Sequence, residues 1–320
     1  MSVGKGLVVL LTLYLLYQTV FTAPDAFLDW GSILRAGVQS PLNYLLLVVA
    51  LLIPLNWGVE ARKWQLLGQK VEPLSFGRAY RAVMVGLTLG FITPNRLGDY
   101  AGRVLELKSH QRLQSIGAVF IGRFCQLVAT LLMGTLGLLY FVFKFLFSQY
   151  PAVSLSLMVM LVALCAVAVV LLYNAKALVA VVEAIKPLKS FVRYIAIIGS
   201  YTSSEITKLL WLSLGRYLVF LLQFVLLLVL FRVELTWMEY LSGVSGTFFL
   251  KSVVPSVSLL SDLGVRELSA MYLFGLLGQA RLQVLSASLS LWVLNIAMPS
   301  LVGVGFVLRL RLAKRKEVTA

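Results

Sequence analysis

The sequence predicts an all-α polytopic membrane protein, because its composition is apolar, its apolar residues form long blocks, and two of these blocks are interrupted by polar tips. Of the 320 residues, 60% are hydrophobic and 13% are charged, and the mean hydropathy is +0.93. Soluble domains carry about 25% charged residues, so this balance excludes a soluble enzyme. We therefore expect one integral membrane domain over residues 1–320.

Six uninterrupted apolar blocks are long enough to cross a bilayer, which takes roughly 17 helical residues or more. They cover residues 6–22, 41–58, 115–143, 152–173, 209–231 and 284–308. For the first block, a signal peptide cleaved after Ala23 is the alternative interpretation.

Two further blocks, 79–93 and 238–254, are apolar but end in a proline followed by a polar stretch. Interrupted segments are tolerated at membrane depth where protein or a water-filled cavity surrounds them. Both regions are therefore predicted to be re-entrant helical hairpins. The predicted breaks lie at Pro94, Gly98, Pro255 and Gly264.

The distribution of lysine and arginine predicts the orientation, because basic loops favour the cytoplasmic side. Four stretches carry four or five basic residues each, namely 59–81, 96–112, 174–208 and 309–320. The stretches 23–40, 144–151 and 232–239 carry one each. The two kinds alternate only if each hairpin returns to the side it entered from, which predicts cytoplasmic termini in the inner or plasma membrane. If 79–95 instead spans, 96–112 lies outside and everything downstream is inverted.

The order span, span, hairpin, span occurs twice, over residues 6–143 and 152–308. The first hairpin enters from the cytoplasm and the second from outside, so the two halves have opposite orientation. Inverted repeats with interrupted helices in corresponding places indicate a secondary transporter whose site lies near the membrane midplane.

Residues 186–208 predict an amphipathic helix on the inner leaflet. Leu188 and Phe191 alternate there with Lys189 and Arg193. This pattern is typical of a helix that lies in the membrane interface.

Ionisable residues inside the apolar blocks are the candidate binding site, because each costs about 3 kcal/mol to insert at the bilayer centre. Arg123 and Arg216 lie seven or eight residues into their spans, roughly 10–12 Å deep, and are placed to hold one anion between them. Arginine suits phosphate because its planar fork binds bidentately. The hairpin tips add Arg96, Asp99, Arg103, Asp262, Arg266 and Glu267.

Asp99 with Arg103 and Asp262 with Arg266 are spaced four residues apart, so each pair shares a helix face. These pairs bind substrate, lock the tips structurally, or do both. The half-helices after Gly98 and Gly264 would also present free N–H groups and a positive dipole end to an anion. Asp99 and Glu267 are candidate proton carriers.

Metal and nucleotide chemistry are not expected. The only histidine is His110 in a basic stretch, and Cys125 and Cys165 lie inside apolar blocks without metal-ligand spacing. No Gly-x-x-x-x-Gly-Lys loop is present. The net charge of +15 is interpreted as basic loops facing the anionic inner leaflet rather than as nucleic-acid binding. We expect no cofactor.

The motifs resemble the lysylphosphatidylglycerol synthase transmembrane-region family, which is also described as flippase-like. The matching motifs are Arg62-Lys63-Trp64, the tip from Thr93 to Arg103, Arg123, and Pro255 with Leu263-Gly264-Val265-Arg266-Glu267. The resemblance covers nearly the whole chain. It implies the membrane half of enzymes that aminoacylate and move phosphatidylglycerol, without their soluble transfer domain, so lipid synthesis is not implied.

The sequence departs from the family pattern at two places. Gly122 stands where the family often has a glutamate before the arginine of the span after the first hairpin. Trp292 and Asn295 occupy the last span, which often carries an arginine in the family. These departures predict a rewired charge network.

The first functional hypothesis is a translocase for a phosphate-bearing lipid, either a modified phospholipid or a polyprenyl-phosphate-linked sugar. The second is a non-transporting membrane partner of a lipid or glycan synthase. The third is a glycosyltransferase that uses a lipid-phosphate donor, with Asp25 and Asp29 as its outer-loop acids. The expected partners are an anionic lipid and a membrane synthase or glycosyltransferase.

Overall fold

A computed structural model of the chain is all-helical, without a strand in the part of the chain that it describes. It describes residues 26–91, 93, 96–109, 112–184, 194, 196–254 and 264–319. The first predicted span, 6–22, lies outside these residues. The helices are α1 (Ala26–Gln39), α2 (Tyr44–Gly68), α3 (Phe76–Phe91), α4 (Leu97–Leu105), α5 (Ser115–Phe141), α6 (Pro151–Tyr173), α7 (Ala175–Ala184), α8 (Ser203–Leu230), α9 (Trp237–Val253), α10 (Val265–Leu276), α11 (Arg281–Trp292) and α12 (Met298–Thr319).

Among the described residues, five segments are long and apolar enough to cross a membrane. They are Tyr44–Gly68, Ser115–Leu146, Pro151–Tyr173, Ser203–Leu230 and Arg281–Arg309. Each overlaps one of the predicted spans, which confirms the all-α polytopic membrane fold. The last segment is one continuous path because a π-helical turn, Val293–Ala297, joins α11 to α12.

Helix α2 extends beyond the predicted span 41–58, so the first part of the stretch 59–81 is helical and not a loop. The helix continues to Gly68 and buries Glu60, Lys63 and Trp64. The sequence interpretation assigned these residues to the cytoplasm because charged residues usually end a span. Here the two charges neutralise each other, with 2.8 Å between Lys63 Nζ and Glu60 Oε2.

Helices α3 and α4 form the first predicted hairpin and pack antiparallel at very short range. A Cβ atom on Gly102 would lie 2.5 Å from the Cα of Gly86, and the backbone of Asp99 lies against Gly86 and Gly90. Gly86 with Gly90, and Gly98 with Gly102, are spaced four residues apart, the small-residue spacing that allows membrane helices to approach closely. The packing thus depends on glycines in both helices.

The turn between α3 and α4 is held by Thr93. Its hydroxyl donates to the Leu89 carbonyl and accepts from the Gly98 N–H, both at 2.8 Å. Arg96 has φ 55°, a left-handed conformation that is uncommon outside glycine. Gly98, predicted to lie at the break, is the second residue of α4, so this half-helix begins beside it, and Gly98 packs closely on the backbone of Leu89 and Gly90. Pro94 lies outside the described residues.

Helices α9 and α10 form the second predicted hairpin, with Pro255 and Asp262 in the region 255–263 that lies outside the described residues. Gly264, one of the predicted breaks, precedes α10 with a φ of 108°, and its N–H donates to Glu267 Oε2 at 2.8 Å. Helix α9 also packs antiparallel on α5, where Gly134 and Gly137 leave room for its backbone.

The helices form two buried apolar clusters that meet at the centre. One is built mainly from α2, α3, α5 and α6, and the other from α8, α9, α10 and α11. Helices α2 and α8 contribute opposite ends to the two clusters. Residues of both clusters and polar side chains of these two helices line one cavity.

The structure does not continue the predicted amphipathic helix, residues 186–208, to its C-terminal end. Residues 185–193 and 195 lie outside the described residues, and Ala196–Ser200 form a 3-10 helix. A capping box at Thr202, with Glu205 as its partner, starts α8 at Ser203, so 203–208 belong to a membrane-spanning helix.

Glu72, in the loop before α3, joins the start of α3 to the segment that follows α4. Its carboxylate accepts from the N–H groups of Lys108 (2.8 Å) and Ser109 (2.7 Å) and pairs with Arg78. Partial burial acts to raise the pKa of Glu72, but these donors together hold it below its ordinary value. The resulting stabilisation is present above the unfolded-state pKa and is lost as the pH falls through the lower folded-state pKa.

The glycine packing of the first hairpin makes a matched pair of predictions. Gly102→Ala places a methyl group into the backbone of α3, and overpacking of this kind costs about 1–3 kcal/mol. Gly77→Ala, at an exposed position in α3 where a Cβ atom meets nothing within 4 Å, is neutral or stabilises by up to about 1 kcal/mol. Thermal unfolding of both variants in mild detergent tests this. Equal melting temperatures would contradict the close packing.

Candidate functional site

A cavity of about 510 Å³ lies between the two apolar clusters, and most of its charged lining side chains are basic. Among the described residues that line it, Glu60 and Asp99 are acidic and seven are basic. The basic ones are Lys63, Arg96, Arg103, Arg123, Arg216, Lys251 and Arg266. They come from α2, both predicted hairpins, α5 and α8, so the cavity exists only when these elements are assembled.

The structure brings the predicted site residues of the first hairpin and the two span arginines into this one cavity. Arg123 and Arg216, placed at equal depth by the sequence, both line it. The predicted Asp99–Arg103 pair is confirmed, with 2.9 Å between Arg103 Nε and Asp99 Oδ1. Asp99 also pairs with Arg123 and so joins α4 to α5.

Glu60 is the centre of the charge network, and sequence reasoning missed it. Its carboxylate lies 2.8 Å from Arg103 Nη2, 2.8 Å from Lys63 Nζ and 3.2 Å from Arg216 Nη1. Glu60 thereby links α2 to α4 and α8. The signal in the sequence was the i, i+3 spacing of Glu60 and Lys63 directly after an apolar block, which places them on one helix face.

Arg103 is the most constrained of the arginines because it lies between two carboxylates. It bonds to both oxygens of Asp99 and to Glu60, and its guanidinium lies 5.5 Å from the Trp64 ring centroid. Its side chain is only 6% exposed. Arg103 therefore links the first hairpin to α2, and most of its N–H groups that bond within the protein donate to Asp99 and Glu60.

Arg123 and Arg216 also line the cavity, but their side chains are more exposed than that of Arg103. They are 33% and 19% exposed, and the Nε of each is buried without a hydrogen-bond partner among the described residues. Arg216 lies 5.1 Å from the Trp57 ring centroid, and Arg123 lies 5.1 Å from that of Tyr100. The aromatic faces orient the two guanidinium groups by cation–π contact. These two arginines are the best placed donors for a ligand.

Gln126 joins the carboxylate network to α8. Its Oε1 accepts from Lys63 Nζ at 3.4 Å and from Arg216 Nη1 at 3.5 Å, and its Nε2 donates to the Ser213 carbonyl at 3.2 Å. Gln126 follows Arg123 by three residues on α5, so one face of that helix supplies both side chains.

The second hairpin contributes a separate, tighter pair. Arg266 pairs with Glu267 and also donates from its Nε to Ser288 Oγ and from Nη2 to the Ser288 carbonyl, both at 3.0 Å. Its predicted partner Asp262 lies outside the described residues. Arg266 lines the cavity, whereas Glu267 is buried behind it and caps α10. A proton-carrier role for Asp99 or Glu267 stays a prediction. Among the described residues, protonation of Asp99 would leave Arg123 without a carboxylate partner, and protonation of Glu267 would do the same to Arg266.

The family departure at Asn295 has a structural role. Asn295 lies in the π-helical turn, which changes the backbone hydrogen-bond pattern. Its carbonyl accepts from Trp57 Nε1 at 3.2 Å, and its side chain accepts from the Asn56 amide at 3.2 Å. The last span therefore holds Trp57, the ring on which Arg216 lies.

Within the described part of the chain, no three His, Cys, Asp or Glu residues are grouped so that they could hold a metal ion. Cys125 and Cys165 are free thiols buried on α5 and α6. Residues 3–303 match the family model described as the lysylphosphatidylglycerol synthase TM region. No curated protein and no solved structure matches the chain.

The network predicts that Glu60 is far more important for stability than an exposed glutamate. Glu60→Gln leaves Lys63, Arg103 and Arg216 short of a buried counter-charge, and loss of one partner from a buried pair costs about 3–5 kcal/mol. Glu205→Gln is the control. It removes a half-exposed pair with Lys70 but keeps a capping-box side chain, and should cost less than about 1 kcal/mol.

Thermal unfolding in mild detergent, together with the monodisperse yield, tests this difference. An unfolding temperature for Glu60→Gln as high as that of Glu205→Gln would show that the buried network does not depend on Glu60.

Proposed function

Because the chain belongs to the lysylphosphatidylglycerol synthase TM region family, whose members are membrane proteins related to lipid handling, we propose that it moves a phosphate-bearing lipid across the membrane. The observation that carries the proposal is the basic cavity inside an apolar helical bundle. Buried basic residues are costly in a membrane protein, and they mark substrate pathways more often than structural positions.

The headgroup phosphate would bind between Arg123 and Arg216. Both offer guanidinium surface to the cavity, and both have a buried Nε without a partner among the described residues. Bidentate contact between a guanidinium and phosphate oxygens is stronger than a neutral hydrogen bond. Leu127, Phe220 and Phe248 line the same cavity and would contact the apolar part of the lipid.

Exchange of carboxylate for phosphate would couple binding to motion. Asp99 occupies Arg123, and Glu60 occupies Arg216, so a phosphate that approaches either arginine competes with a protein carboxylate. Displacing Asp99 removes the contact of α4 with Arg123 and leaves the hairpin held by Arg103. The first hairpin would thus act as the moving gate, since a ligand shifts an equilibrium only through contacts that differ between states.

Movement would follow a lipid gradient, ion coupling or the membrane potential, since the sequence has no Gly-x-x-x-x-Gly-Lys nucleotide loop. We further propose that the protein resides in the cell membrane with both termini cytoplasmic, as the lysine and arginine distribution favours. A membrane synthase or glycosyltransferase that supplies the lipid is the proposed partner. We propose no catalytic step in this chain.

The function is tested in proteoliposomes with tail-labelled phosphatidylglycerol, phosphatidate and a polyprenyl phosphate. Movement of label between leaflets is followed by chemical quenching from outside. We expect the wild-type protein to accelerate the movement of at least one of these lipids between the leaflets. Arg123→Gln with Arg216→Gln should slow this at least tenfold, because each lost charge-assisted hydrogen bond is worth about 1.5–3 kcal/mol.

Lys208→Gln is the matched control, because Lys208 is an exposed cation on the same helix as Arg216. It should transport at the wild-type rate, and elution as a single species should be checked for all variants. Rates equal to those of protein-free liposomes for all three lipids would contradict transport and favour the non-transporting partner.

A further inference from the structure

We propose that the cavity selects lipids whose headgroup carries at least two negative charges and rejects headgroups that carry an ammonium group. The shared chemistry is a diphosphate or a terminal phosphomonoester. This inference rests on the proposed function, because it assumes that the cavity receives the headgroup. It goes further by stating which charge the headgroup carries.

The charge of the lining favours a polyanionic headgroup. Among the described residues, seven basic and two acidic side chains line the cavity, and counting Glu267, which pairs with Arg266, still leaves four more cations than carboxylates. Asp262, at the second tip, would lower the excess by one at most. A headgroup with a single phosphodiester charge compensates only part of this excess, whereas a diphosphate or phosphomonoester compensates more of it. Electrostatic interactions are stronger in a partly buried cavity than in water.

Both acidic side chains that line the cavity in the described part of the chain are already paired with cations. Glu60 is within 3.2 Å of three cations, and Asp99 pairs with two arginines. A lysyl or other amino headgroup needs a carboxylate for its ammonium, and here it would have to displace a buried arginine or lysine to reach one. Like charges placed together inside a low-dielectric site are strongly unfavourable.

The aromatic rings of the lining already have partners within the protein, although in other sites such rings bind ammonium ligands by cation–π contact. Trp57 already has the Arg216 guanidinium over it, at 5.1 Å. The rings of Tyr217 and Phe220 pack on Phe248, with centroids 5.7 and 5.5 Å away. These three rings suit a lipid chain, and the basic side chains of the same cavity suit a polyanionic headgroup.

The test is competitive lipid retention, measured by native mass spectrometry of the full chain in mild detergent at pH 7.5. The protein is offered an equimolar mixture of undecaprenyl diphosphate, dioleoylphosphatidate, dioleoylphosphatidylglycerol and lysyl-dioleoylphosphatidylglycerol. We expect one or both of the first two to be retained about tenfold or more over phosphatidylglycerol, and the lysyl lipid to be retained least. Preference for undecaprenyl diphosphate would identify a polyprenyl source, and preference for phosphatidate a diacyl source.

The variants separate site binding from bulk association. Arg123→Gln with Arg216→Gln should reduce the preference for the doubly charged lipids to within about threefold of phosphatidylglycerol, whereas Lys208→Gln should keep it. The ranking within the wild-type protein does not depend on how well a variant folds. Retention of the lysyl lipid or of phosphatidylglycerol equal to or above that of the doubly charged lipids would overturn the inference.

Failure of the inference is distinguishable from failure of the proposed function. A protein that moves phosphatidylglycerol in proteoliposomes but shows no preference for doubly charged lipids is a translocase without this selectivity. A protein that retains the doubly charged lipids but moves none of the test lipids has the proposed selectivity without transport.

Discussion

The structure depends on the compensation of buried charge by Glu60. In an apolar bundle an isolated ion is costly, and removal of one partner from a buried pair leaves the other uncompensated. Glu60 contacts three cations that belong to three different helices. Helix α2, the first hairpin and α8 are therefore held at the positions that these contacts require, and the cavity is the space that remains between them.

Close packing of the first hairpin makes this compensation geometrically possible. Asp99 reaches Arg103 and Arg123 because its own backbone lies against Gly86 and Gly90, with no side chain between the helices. Van der Waals contact between small residues drives membrane helices together where no hydrophobic effect operates. Glycine spacing and charge placement are thus parts of one arrangement, since a bulkier residue at Gly86 would clash with the Asp99 carboxylate itself.

The cavity also separates two kinds of arginine that look alike in the sequence. Arg103 uses its donors on Asp99 and Glu60 and lies almost fully buried. Arg123 and Arg216 share their carboxylates with other cations and keep part of their guanidinium surface toward the cavity. A phosphate group would therefore compete with a carboxylate for Arg123 and Arg216, whereas Arg103 would stay bound to Asp99 and Glu60. This division is the physical basis of the proposal that the cavity binds an anionic headgroup and responds to it.

By itself, the sequence determined the all-α membrane class, the position of five helices long and apolar enough to cross a membrane, and the Asp99–Arg103 pair, because these follow from block length and i, i+4 spacing. It also predicted a break at Gly264, where the backbone has the positive φ that glycine allows. It also grouped Arg123 with Arg216 by depth. Only the tertiary structure decided that α2 continues past Gly58 and that Glu60 joins the arginines, because a charged residue after an apolar block signals a loop unless its counter-ions come from distant helices. The contacts of Glu60 with Arg103 and Arg216 cross 43 and 156 residues, and no local pattern encodes contacts of that range.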